Sequence, residues 1–132
     1  MLTLLAALTL APSALELAEG TWELDPNESP DRKEFTCAAD PLQIEISADG
    51  KRYRSAFLET EHNADILSVA PSFLIIQYDD EQRKDDYGQP VRWVMGFPDA
   101  DHFYWKRFDR VHSGQPGRTY QRRRCPKDGA SA

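Results

Sequence analysis

The chain has 132 residues and a formal net charge of −6, from 16 Lys and Arg against 22 Asp and Glu, with a pI near 5.0. That length supports one domain around one core. The acidic balance excludes a general binder of nucleic acid or anionic membranes, which need clustered cationic surface, and no apolar stretch is long enough for a membrane-spanning helix.

The first element is an apolar run over 2–10, followed by the small residues Ala11-Pro12-Ser13-Ala14. This reads as a secretory signal peptide over 1–13 with cleavage near Ser13, leaving 14–132 as a single mature domain. A short helix retained at the N terminus is the alternative, because no lysine or arginine precedes the apolar run. Export to the periplasm or beyond leads us to expect a disulfide between Cys37 and Cys125, the only two cysteines. Closing so long a loop constrains the unfolded chain by about 4 to 5 kcal/mol.

Short runs of period-two polarity then follow one another to the end of the chain. Strands are expected at 20–24 and 34–38. At 42–47, Leu42, Ile44 and Ile46 share a face, and Ala48-Asp49-Gly50 supplies a hairpin turn. The return over 51–58 sets Tyr53, Ser55 and Phe57 on one face and Arg52 and Arg54 on the other. A short strand at 65–69 ends at Pro71, and 73–78 is almost continuously apolar, as in a strand covered on both faces or at a barrel centre. The polar stretch 79–90 reads as an exposed hairpin tip. In 91–97, Val91, Trp93, Met95 and Phe97 alternate with Arg92, Val94 and Gly96; after a turn at 98–101, Phe103, Trp105 and Arg107 oppose His102, Tyr104, Lys106 and Phe108. A loop at 113–117 leads to a last strand over 118–125 and a frayed tail.

About eight sequential strands joined by turns, without a helical period of useful length, predict an all-β fold: a small antiparallel up-and-down barrel, which leaves no edge strand exposed. A flattened sandwich is the competing architecture. Such a barrel is either filled by its own side chains or holds one small ligand. Phe57, Phe73, Trp93, Phe103 and Trp105 are the candidate lining of an apolar ligand site, drawn from an aromatic set that includes Trp22 and Phe97 and must also supply the core. One aromatic pair of the 102–108 strand is expected to face outward as a contact patch.

Motifs with a catalytic mechanism are missing: there is no Gly-x-Ser-x-Gly elbow, His-Glu-x-x-His or phosphate-cradling glycine loop. His62, His102 and His112 are dispersed, without metal-binding spacing, and read as surface or capping residues. Asp79, Asp80, Glu81, Asp85 and Asp86 are interrupted by Arg83 and Lys84 and read as a solvated tip rather than a calcium loop. Asn27-Glu28-Ser29 is a glycosylation acceptor only in a eukaryotic secretory route. Arg118, Arg122, Arg123 and Arg124 make the last strand locally basic, but alternation divides the final three between two faces. The chain therefore reads as a monomeric binding protein rather than an enzyme, requiring no cofactor or metal.

Gly20-Thr21-Trp22 followed by a C-terminal arginine cluster resembles lipocalin-like (calycin) barrels, whose first strand opens with Gly-x-Trp. The resemblance implies that Gly20, Trp22 and an arginine from Arg122, Arg123 or Arg124, with Arg122 as the first choice, close the barrel base, and that a small apolar ligand is held inside. A cation stacked on an indole contributes about 0.5 to 2 kcal/mol. Ser113-Gly114 through Tyr120 distantly resembles the Ser-Gly-rich loop ending in tyrosine of bacterial periplasmic lysozyme inhibitors, also small disulfide-tied eight-stranded barrels. That resemblance implies an exported protein partner instead.

Overall fold

The computed structural model describes residues 13–28, 35–110, 119 and 121–126. Residues 1–12 of the expected leader over 1–13, Ser29, Glu34, His112, the loop 113–117, Arg118 and Tyr120 lie outside the described residues. Eight antiparallel strands close into a barrel in sequence order: β1 (Gly20–Leu24), β2 (Leu42–Ile46), β3 (Arg52–Phe57), β4 (Thr60–Val69), β5 (Phe73–Tyr78), β6 (Trp93–Asp99), β7 (His102–Arg107) and β8 (Arg122–Arg124). Pairing of β1 with β8 completes the ring, so the up-and-down barrel is realised and the sandwich is not. A five-residue helix, α1 (Ala14–Ala18), precedes β1.

Alternation decides which side chains enter the barrel. On β3, Tyr53 and Ser55 are buried between the exposed or half-buried Arg52, Arg54 and Ala56. On β5 only Leu74 and Ile76 are buried, while Phe73 faces out with 36% of its surface exposed. Of the two readings of the apolar run, the strand therefore fits the barrel centre, where Leu74 and Ile76 are fully buried, and not cover on both faces. β4 starts at Thr60, earlier than its apolar residues suggest, because the polar residues from Thr60 to Asn63 pair along β3. Conversely, among the described residues of 118–125, only Arg122–Arg124 form a strand of the barrel.

The expected strand at 34–38 is also replaced. Its described part, from Phe35 on, is a strap laid against the outside of β1, with Leu24 N donating to Phe35 O at 3.0 Å and Cys37 N donating to Glu23 Oε1 at 3.2 Å. The Cys37–Cys125 disulfide pins this strap beside the end of β8, with Cα atoms 5.7 Å apart. Phe35 has φ of +67°, a left-handed conformation unfavourable for a bulky residue, held where the strap turns over the rim onto Phe57 at 4.9 Å.

Candidate functional site

Up-and-down connectivity gives the barrel two unlike ends. One is floored by α1 and by the start of β1. Ala14, Ala18 and Trp22 are fully buried there, and Trp22 Nε1 donates to Ala18 O at 3.1 Å. Phe103 meets the Trp22 ring edge-on at 4.7 Å, and Phe97 approaches both rings at 6.3 and 6.0 Å.

Arg124 seals this floor. Its guanidinium carbon stands 4.3 Å above the Trp22 ring, and its nitrogens donate to the carbonyls of Leu17, Glu19 and Ala100. The first choice of Arg122 as the closing arginine is corrected: the β1–β8 register sets Trp22 opposite Arg124 and Leu24 opposite Arg122, so both even-numbered arginines enter the barrel but only Arg124 reaches the tryptophan. Gly20 lies beside this arginine. With φ of +142°, it leaves a space where a Cβ would approach Arg124 Nη1 to 3.0 Å. Arg123 points outward and pairs with the buried Glu23 at 2.6 Å.

The opposite end is an open cup of about 320 Å³. Tyr53 forms its depth, Tyr78 and Trp105 form adjoining walls, and Phe57 and Phe35 lie toward the rim. Tyr53 is 6.1 Å from Tyr78 and 6.0 Å from Trp105, both near-perpendicular contacts of the edge-to-face type that aromatic quadrupoles favour. Burial pushes the Tyr53 phenol up to about 12, against an opposing influence of the Ser55 and Tyr78 hydroxyls. Burial also raises Tyr78, and the neighbouring Tyr53 raises it further. Both phenols stay protonated at neutral pH and present O–H donors within apolar walls. The lining among the described residues contains no Asp or Glu, and its only permanent cation is Arg122.

Of the five candidate lining residues, the structure brings Phe57 and Trp105 together on the cup. Phe103 lies below it in the Trp22 stack. Trp93 is at the rim, where its Nε1 donates to Glu81 at 3.1 Å and Arg83 covers its ring at 4.7 Å. Phe73 is excluded from the interior by the parity of β5, which sends Leu74 inward. Tyr53, Tyr78 and Arg122 were not among the candidate ligand-binding residues. The available signal was the alternation of Tyr53, Ser55 and Phe57, which placed hydroxyls on an inward face.

The 79–90 connection is only partly the solvated tip expected of it. Glu81 folds back so that its side chain is 2% exposed between Arg83 and Trp93. Burial alone raises its carboxyl, but the hydrogen bonds from Arg83 and Trp93 outweigh that effect and hold it below its ordinary value. A second hollow, lined by His62, Tyr78 and 80–83, adjoins the cup through His62 and Tyr78. Beyond it, Tyr87 projects with 90% of its surface exposed from a turn held by Asp85, which accepts from the amides of Tyr87 and Gln89. On the outer face of β7, Tyr104 lies across Gly96, and Arg92 covers the Phe108 ring at 4.2 Å.

Fold and site together define a closed eight-stranded antiparallel barrel with one sealed end and one aromatic cup. No protein-family model, curated protein or solved structure gives a significant match to this chain.

Proposed function

We propose that this protein is an exported, non-enzymatic, monomeric binding protein of lipocalin-like type that holds a small apolar ligand in the cup. The observation that carries this reading is the one-ended cavity: about 320 Å³ is at the small end of the range for ligand sites, and aromatic walls with few polar groups are their usual lining. The sealed floor supports the lipocalin-like assignment, since Trp22 and Arg124 occupy the closing roles that the Gly20-Thr21-Trp22 resemblance implies. The Cys37–Cys125 bond favours a periplasmic or extracellular home. Cleavage of a leader near Ser13 fits the floor as well, because a cut after Ala18 would remove the helix that buries Ala14 and Ala18.

The test is titration of the disulfide-bonded protein with N-phenyl-1-naphthylamine, an uncharged probe that fluoresces in apolar surroundings. Saturable one-to-one enhancement, weakened by Trp105→Ala, is expected. Unsaturable or absent enhancement would remove the cup as a ligand site.

Tyr87 favours a second reading. A large aromatic presented to solvent on a hydrogen-bonded turn is a typical protein-contact residue, and under this reading the protein binds or inhibits an exported partner through its rim loops. Capture of a partner by wild type but not by Tyr87→Ala would support it.

A further inference from the structure

We infer that Arg122 is the ligand's charge receptor, and that the cup takes a small carboxylic acid whose anionic head meets this guanidinium while its apolar body lies against Trp105 and Phe57. This inference rests on the ligand-binding reading of the cup and specifies the chemistry of the occupant.

Arg122 enters the barrel beside Leu24, and its Nη1 is buried without a hydrogen-bond partner, the only buried side-chain nitrogen or oxygen in that state among the described residues. It stands against an aromatic face, with the guanidinium carbon 5.2 Å from the Phe57 ring centre. Burial draws the guanidinium below its ordinary value, while Tyr53 and Tyr78 act in the opposite direction; arginine nonetheless stays charged at neutral pH. A buried, unsatisfied charge is unfavourable in a folded protein unless a partner arrives.

The other interior and strap-side charges have their partners. Arg124 is satisfied by three carbonyls, Arg123 by Glu23, and Glu81 by Arg83 and Trp93. Against that background Arg122 lines a cup whose described lining lacks a carboxylate, and its Nη1 is buried and unpaired.

Charge and geometry select a monoanion. A single guanidinium offers a planar fork suited to a carboxylate, and Tyr53 and Tyr78, held protonated by burial, bring no negative charge to compete with it for the cation. Asp80 and Glu81 line the adjoining hollow and disfavour a head with several negative charges. The aromatic walls and the limited volume select a compact apolar body.

The test compares octanoate with 1-octanol, which share a chain and differ in the head group, as competitors of N-phenyl-1-naphthylamine at neutral pH on wild type, Arg122→Met and Arg122→Lys. The octanoate-to-octanol affinity ratio should fall by about ten- to a hundredfold in Arg122→Met, the range for a lost charge-assisted hydrogen bond, and by less in Arg122→Lys. A cooperative thermal unfolding transition in every variant establishes that each one folds. An unchanged ratio with the probe still bound overturns the role of Arg122 and leaves the cup. Failure of wild type to bind the probe or either competitor overturns the cup and this inference together.

Discussion

Arg124 and Arg122 stand two residues apart on one strand, both point into the barrel, and they have opposite surroundings. Arg124 caps an indole and donates to three main-chain carbonyls, so the sealed end is saturated in its hydrogen bonding. Arg122 lies against Phe57 with a buried nitrogen unpaired. The same residue type is structural where its valences are filled and receptive where they are left open. The two ends of the barrel differ in the same sense: α1 and the Trp22 stack fill one, and tyrosine hydroxyls and aromatic walls surround an opening at the other.

The sharpest way to break this comparison is at the floor. Trp22→Ala removes the largest fully buried side chain from under Arg124 and should destabilise by about 3 to 5 kcal/mol in denaturant unfolding. Arg124→Met leaves the carbonyls of Leu17, Glu19 and Ala100 without this donor and should lose about 2 to 4 kcal/mol by the same measurement.

At the cup, pH is the probe. The folded Tyr53 phenol ionises near 12, above its ordinary 10, so the neutral form is favoured by folding. Its contribution is complete below pH 10 and is lost as pH rises from 10 to 12, about 2 to 3 kcal/mol in all. Tyr53→Phe should make this alkaline limb shallower in thermal melts recorded across that window. The smallest effect is expected where the comparison is most pointed: Arg122→Met exchanges a half-buried charge with one unpaired buried nitrogen for an apolar chain of similar length, so ligand-free stability should be unchanged or rise by about 1 kcal/mol. A loss as large as that of Arg124→Met would erase the distinction between the two ends.

The barrel itself was legible because period-two alternation and regularly spaced turns are local properties, visible at Leu42, Ile44 and Ile46 and again at Trp93, Met95 and Phe97. The identity of the closing arginine was not. Three consecutive arginines are equivalent until the β1–β8 register sets one of them across from Trp22, and register depends on partners a hundred residues away in sequence. Phe73 illustrates a different limit, since an unbroken apolar run conceals its own parity, and only pairing with β6 shows that Leu74 rather than Phe73 turns inward. The strap escaped because its placement is fixed by a disulfide and by the outward Glu23, not by alternation. Tyr78 closed an apolar stretch and looked like its end, whereas tilt and closure of the barrel carry it to the cup wall.

The three tryptophans mark the three levels of the molecule: Trp22 at the floor, Trp93 at the rim and Trp105 in the cup. The most direct test is therefore a two-dimensional ¹H–¹⁵N NMR titration with octanoate that follows their indole N–H signals. A large saturable shift of the Trp105 signal, a smaller one at Trp93 and none at Trp22 is the result expected of a sealed floor and a receptive cup. Three unmoved signals, or a Trp22 shift equal to that of Trp105, would contradict it.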